Sequence, residues 1–314
     1  MSTPRYPQLT PDRVWLGITP TLWWNDDFPL IDIGIPFEQC ISEMALAQFV
    51  GCSIGHKYPS DQPKKLKAEL DLRGLRISEP WVSTYFTLED MHDQTIADVR
   101  KQLELMDELE YGASYQRRAD LVVAELGHAV HPLPVALFPN CPTFTDEQWD
   151  RLVDGLHEIG KLAQEKGRAL CYHPHLGTGV MRPADVMRLF ESTKPALVHM
   201  LFDTAHLQAG GNDILDLTCK LADRIRHVHL KDLRDKAFND MLEKNLSFEQ
   251  GIMAGLFTVP GCGSIGVFPE ILGQLNLNHF SGWLMIEAEQ NPAEYKPLEY
   301  ALKAREFLRN NLGW

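Results

Sequence analysis

What most constrains the fold of this chain is an alternation repeated eight times: a short apolar run, then a stretch with apolar residues at helical spacing. The runs are Val14–Thr19, Cys52–Gly55, Leu75–Val82, Ala119–Leu126, Arg168–Tyr172, a run from Val198 to Asp203, Arg226–Leu230 and Trp283–Glu289. Between them, helices are expected over Phe37–Phe49, Pro63–Leu72, Leu88–Tyr111, Ala184–Glu191, Ile214–Ile225, Pro269–Leu275 and Leu298–Leu308. One more follows the capping-box pattern Thr145–Gln148 and stops at Lys166 and Gly167. Runs this apolar suit parallel strands covered on both faces. Eight such units in 314 residues match an α/β (β/α)8 barrel, a TIM barrel, forming a single domain over 1–314. Residues 1–13 form an N-terminal extension, and 235–260 an extended loop and helix after the seventh strand. An open doubly wound sheet would carry a glycine-rich phosphate turn after its first strand, and none is present.

Charge and cysteine usage narrow the function classes. A net charge of −13 gives nucleic acid or an anionic membrane no attractive face. The six cysteines show no paired or finger spacing and read as reduced thiols in a cytoplasmic protein. No apolar run approaches the ~18 residues that a membrane span needs.

A barrel gathers its strand ends at one rim, where such enzymes build their sites. That rim is expected to hold Trp24, Asn25, His56, Lys57, Glu125, His173, His175, Asp203, His206, His229, Lys231, Glu287 and Glu289. Asp203 has two readings, an N-cap before a helix and an anionic metal ligand. Asp203, His229 and Glu287 are the trio expected to bind a divalent ion, Mn²⁺, Co²⁺, Mg²⁺ or Zn²⁺. His227 is expected to pack against helices, with His229 and Lys231 facing inward. An ion of this kind polarises a carbonyl oxygen and acidifies the neighbouring C–H. His173 is then the expected base, and Lys231 or His206 the acid for a leaving hydroxyl, with an enediolate between the two steps.

Several stretches resemble inosose dehydratases: GITPTLWWNDD at Gly17–Asp27, YHPHLGT at Tyr172–Thr178, FDTAHLQAG at Phe202–Gly210, HVHLKD at His227–Asp232, FTVPG at Phe257–Gly261 and WLMIEAEQ at Trp283–Gln290. That family belongs to the xylose-isomerase-like TIM barrels, and the similarity runs from about Val14 to Leu308. The resemblance implies elimination of water from 2-keto-myo-inositol (scyllo-inosose) with Mn²⁺ or Co²⁺, in inositol catabolism. It carries the metal ligands onto Asp203, His229 and Glu287. It leaves the fourth open, since the usual fifth-strand Glu falls on Cys171; Glu125, His175 or water are the candidates. It also matches His173 to the acid–base His of a related dehydroshikimate dehydratase, and Lys231 to that enzyme's strand-seven lysine. Trp24, Asn25, His56, Lys57, His175 and Glu289 are the expected substrate contacts. Ser53, His56, Cys262 and Gly266 depart from the family pattern, which points to a keto-polyol site with altered hydroxyl contacts.

Three other functions follow from the same residues. A sugar isomerase or epimerase would use the same enediolate on a keto-sugar. A non-catalytic polyol-binding protein would bind without turnover. A phosphodiesterase would need a face attractive to DNA, which the acidic charge denies. Barrels of this superfamily often pair, so a homo-oligomer is expected.

Overall fold

A computed structural model describes residues 9–314; residues 1–8, most of the expected N-terminal extension, lie outside the described residues. Eight parallel strands close into a barrel: β1 (Val14–Ile18), β2 (Gly51–Ile54), β3 (Arg76–Thr84), β4 (Leu121–Glu125), β5 (Leu170–Tyr172), β6 (Val198–Asp203), β7 (Ile225–Leu230) and, after two short strands, β10 (Gly282–Ile286). Closure comes from β1 against β10, with Trp15 opposite Trp283 and Ile18 opposite Ile286. The expected strands are all present with shifted ends. β3 runs on to Thr84, and β10 stops at Ile286, leaving Glu287 and Glu289 in the loop beyond it.

The barrel axis is filled from unequal contributions. A Cβ at Gly17 would collide with the Met285 side chain, and one at Gly51 with the Trp283 ring. Bare backbone on β1 and β2 thus makes room for the large side chains of β10, as layered barrel packing requires. Val122, Cys171 and Leu201 form a small apolar cluster of their own. The site lies above it, at the carboxyl ends of the strands.

After β7 the chain makes a lid-like excursion. β8 (Asp232–Leu233) pairs antiparallel with β9 (Phe257–Thr258), and the helices Asp235–Glu243 and Phe248–Met253 lie between them. The hairpin is pinned by Asp232. Its carboxylate accepts from the backbone N–H groups of Leu233, Gly261, Gly263 and Ile265 at 2.8–3.0 Å. Phe248 and Phe257 are thereby set against the His206 ring, at 6.0 and 4.9 Å between centroids. Among the described residues no helix is long and apolar enough to cross a membrane.

Candidate active site

Asp203 ends β6 and also caps the helix Thr204–Ala209, so the N-cap reading of this residue holds. Oδ1 accepts from the N–H groups of Ala205 and His206 at 2.9 and 2.8 Å. Oδ2 has no hydrogen-bond partner although the residue is fully buried. It points toward three neighbours: His173 Nε2 at 3.7 Å, His229 Nδ1 at 3.8 Å and Lys231 Nζ at 3.4 Å. Burial, opposed by Lys231, pushes the Asp203 carboxyl up to about 6.

His173, Asp203, His229 and Glu287 form a quartet whose donor atoms lie within 4.8 Å of one another. The donor set suits a divalent cation provided that His229, which burial would lower but Glu287 and Glu79 push up to about 10, gives up a proton as it binds. His173 Nδ1 is 2.8 Å from the carbonyl oxygen of Pro174, which takes its N–H and leaves Nε2 as the bare nitrogen. Burial, helped by His229, lowers the His173 imidazole to about 3, so the ring is neutral as a ligand must be. The buried, unpartnered Asp203 oxygen supplies anionic charge beside it. Mn²⁺, Co²⁺ and Zn²⁺ accept two imidazoles and two carboxylates, whereas Mg²⁺ prefers oxygen ligands alone.

Lys231 follows β7 and is fully buried. Its ammonium lies 2.8 Å from Glu289 Oε2, 2.9 Å from Glu287 Oε2 and 4.7 Å from the centroid of the Phe257 ring. Burial disfavours the charge, but Asp203, Glu287 and Glu289 together hold the lysine protonated well above its usual range. Glu289 also accepts from Asn25 Nδ2 at 3.2 Å. Asn25, His173, His229, Glu287 and Glu289 face a cavity of about 100 Å³ whose wall also includes Ser53, Trp81 and His175; Asp203 and Lys231 are not part of that wall.

Several expected site residues stand elsewhere. Glu125 is no ligand: its carboxylate accepts five hydrogen bonds, from Thr84 Oγ1, Phe86 N, Thr87 N, Thr87 Oγ1 and Gly127 N, at 2.8–3.1 Å. Those donors tie together the loops after β3 and β4. Trp24 is fully buried and lies outside the cavity lining. Lys57 is turned outward to Asp32 at 2.6 Å, and His56 to Asp26 at 2.5 Å. His206 sits behind the wall, with Nε2 3.2 Å from Glu289 Oε2 and its ring 3.9 Å from that of His175. His227 does not pack outward against helices. It lies two residues from His229, so strand geometry sends both to the same face, and it is buried between Glu79 and Asp120.

Sequence reasoning misses two residues of β3. Glu79 is mid-strand and Trp81 reads only as a strand end, yet both line the cavity. The Trp81 ring meets the edges of His173 and His175 at 5.7 Å each. Their period-two spacing on one strand, at Ile77, Glu79 and Trp81, is the available signal.

Residues 38–311 match the xylose isomerase-like TIM barrel family. Inosose dehydratase 1 of a Bacillus cereus strain is 46% identical over 303 residues, covering 96% of this chain and 98% of that protein. The chain belongs to the inosose dehydratase family. Within it, the four departures from the dehydratase pattern fall unevenly: Ser53 lines the cavity, whereas His56, Cys262 and Gly266 do not. Of the four, Ser53 alone stands on the cavity wall, so the other three departures leave that wall unchanged.

Solved structures show how widely this barrel is shared. An IOLI protein with a bound zinc atom aligns at TM-score 0.68 with 14% identity, over 95% of this chain and 98% of that one. The probable 3-DHS dehydratase AsbF from Bacillus anthracis aligns at TM-score 0.65 with 13% identity, over 94% and 99%. At those identities the likeness speaks for the fold. The dehydratase assignment rests on the 46% relative.

Proposed function

We propose that the protein is a divalent-metal-dependent hydro-lyase that removes water from a keto-cyclitol such as scyllo-inosose. The observation that carries the reading is the quartet of His173, Asp203, His229 and Glu287 beside a buried lysine, in a chain of the inosose dehydratase family. The four side chains would hold the ion, with Mn²⁺ or Co²⁺ the preferred occupants. Its contribution is Lewis-acid polarisation of the substrate carbonyl oxygen.

The chain's own groups do the rest. Lys231 supplies a fixed positive charge beside the oxygen on which negative charge develops, where a buried cation has its largest effect. Glu289 reaches the cavity with its two oxygens held by Asn25 and Lys231. It takes the proton from the carbon next to the carbonyl and returns it to the departing hydroxyl, so one proton and one hydroxide leave as water. The sequence reading makes His173 the base; its place in the quartet moves it to the ion instead. His175 and Trp81 form the wall against which the ring lies. His206 backs Glu289 rather than touching substrate.

Around this core stand three further parts of the reading. A reducing, cytoplasmic setting suits the six free thiols. The acidic surface argues against nucleic-acid or membrane partners. Leu30 and Ile33, exposed on the loop after β1, support the expected homo-oligomer.

Metal-loaded protein incubated with scyllo-inosose should generate an ultraviolet-absorbing dione. A flat absorbance trace together with epimerisation of a ketohexose would replace the lyase by an epimerase. Ligand binding without turnover, with Mn²⁺, Co²⁺ and Mg²⁺ each supplied, would leave only a binding protein.

A further inference from the structure

Below the quartet, the barrel axis carries a line of buried charge that the chemistry above does not use. Glu79 stands in the middle of β3, opposite Ser53 of β2. Its Oε1 lies 3.4 Å from His229 Nε2 and its Oε2 3.4 Å from His227 Nε2. Neither oxygen makes a hydrogen bond, nor does either of the Nε2 atoms they face, and the residue is 2% exposed. His227 continues the line through Nδ1 to Asp120 Oδ2 at 3.0 Å, and Asp120 Oδ1 meets Arg117 Nη2 at 2.7 Å. A carboxylate in a barrel interior is costly unless its partners need it there. Here its partners are two imidazoles, and one of them belongs to the quartet.

His229 is held between carboxylates at both ring nitrogens. Nδ1 faces Glu287 Oε2 at 2.8 Å, and Nε2 faces Glu79. An imidazole binds a cation only through a nitrogen that carries no proton. For Nδ1 to serve, the proton must sit on Nε2, where Glu79 is waiting. We propose that Glu79 is a positioning residue for the metal centre, fixing the proton of His229 on Nε2 and the ring orientation that turns Nδ1 toward Asp203 and Glu287. His227 and Asp120 brace Glu79 from beneath. The inference rests on the reading that the quartet holds a divalent ion.

Cobalt alone is the probe, titrated into purified protein and followed by calorimetry and by its visible absorption. Glu79→Met removes the acceptor at nearly constant volume and should weaken Co²⁺ binding about 10–100-fold, the usual effect of losing such a partner. It should also change the Co²⁺ absorption envelope, because the His229 ring is freed. Glu79→Gln keeps an oxygen acceptor and should recover part of the affinity. Glu79→Met binding Co²⁺ within about twofold of the parent, with an unchanged spectrum, would overturn the proposal, since a partner that orients a ligand is worth more than that. Should Glu79→Met fail to fold, Glu79→Gln decides: a clear loss of affinity, about threefold or greater, supports it, and parental affinity overturns it. A parent protein that takes up no Co²⁺ would overturn the quartet reading, and this inference with it.

Discussion

Glu125 ends β4 and Asp203 ends β6, both fully buried carboxylates at the rim of one barrel. Glu125 is surrounded by five donors from its own and the neighbouring loop, and nothing is left over for a ligand. Asp203 satisfies one oxygen on a helix N-terminus and leaves the other bare, facing two imidazoles and an ammonium. The first arrangement stabilises loops; the second keeps an anionic oxygen available. On the proposed reading, what separates the loop-bracing carboxylate from the metal-binding one is the number of donors within reach.

The largest expected effect tests the Asp203 side of that contrast. Asp203→Asn should keep the helix cap, lose bound metal and cut turnover by at least ~10³-fold, a loss of the order seen for groups that stabilise transition-state charge. The metal-free variant should melt no lower than the parent, since burial already disfavours that charge. Glu125→Gln should do the reverse, retaining metal while losing about 2–4 kcal/mol of stability in urea, because an amide NH₂ then faces N–H and hydroxyl donors. Metal content by mass spectrometry and a denaturation curve for each variant decide both. If Glu125→Gln loses metal at unchanged stability, the contrast is wrong.

Next in size, Lys231→Met should hold its metal and lose about 10²–10³ in kcat. Full activity in that variant would remove the lysine from the mechanism. Smaller again, Trp81→Ala should raise KM for the keto-cyclitol about tenfold with kcat nearly unchanged, as expected for loss of a ring-contact surface. A fall in kcat alone would place Trp81 nearer the chemistry than the cavity wall.

The smallest effect lies at the opposite end of β6 from Asp203. Burial, reinforced by Arg226, lowers His199 to about 4. The unfolded chain protonates this ring near its ordinary value of about 6.5 and the folded chain does not. Stability from this group is therefore complete above about pH 6.5 and is lost as pH falls toward about 4. Replacing His199 with Asn should flatten that part of the acid melting profile without touching metal binding. An unchanged acid slope would show that the ring titrates freely.

Which parts of this are readable beforehand follows from the range of the forces involved. The strands and helices are visible because burial imposes periods of about 2 and 3.6 on the sequence itself. Asp203, His229, Lys231 and Glu287 are visible because barrels expose their strand ends at one rim. Glu125 and Asp203 cannot be told apart in sequence, since the donors around Glu125 include Thr84 Oγ1 and Phe86 N, carried on a different strand and its loop. Glu79 escapes notice because its value depends on His227 and His229, on a strand that is not its neighbour. The placement of His227 fails for a different reason: side chains two apart on a strand share a face, and the expectation sets them on opposite faces. Trp24, Lys57 and His56 are drawn to the site by their motif, but Asp32 and Asp26 on the loop after β1 hold Lys57 and His56 off the cavity wall.

The central claim is a cation held by four named side chains. Anomalous diffraction from crystals soaked in Mn²⁺, collected at the manganese edge, tests it most directly. The account predicts one strong peak within bonding distance of Asp203 Oδ2, His229 Nδ1, His173 and Glu287. No peak there, or a peak on Glu125 instead, would contradict it.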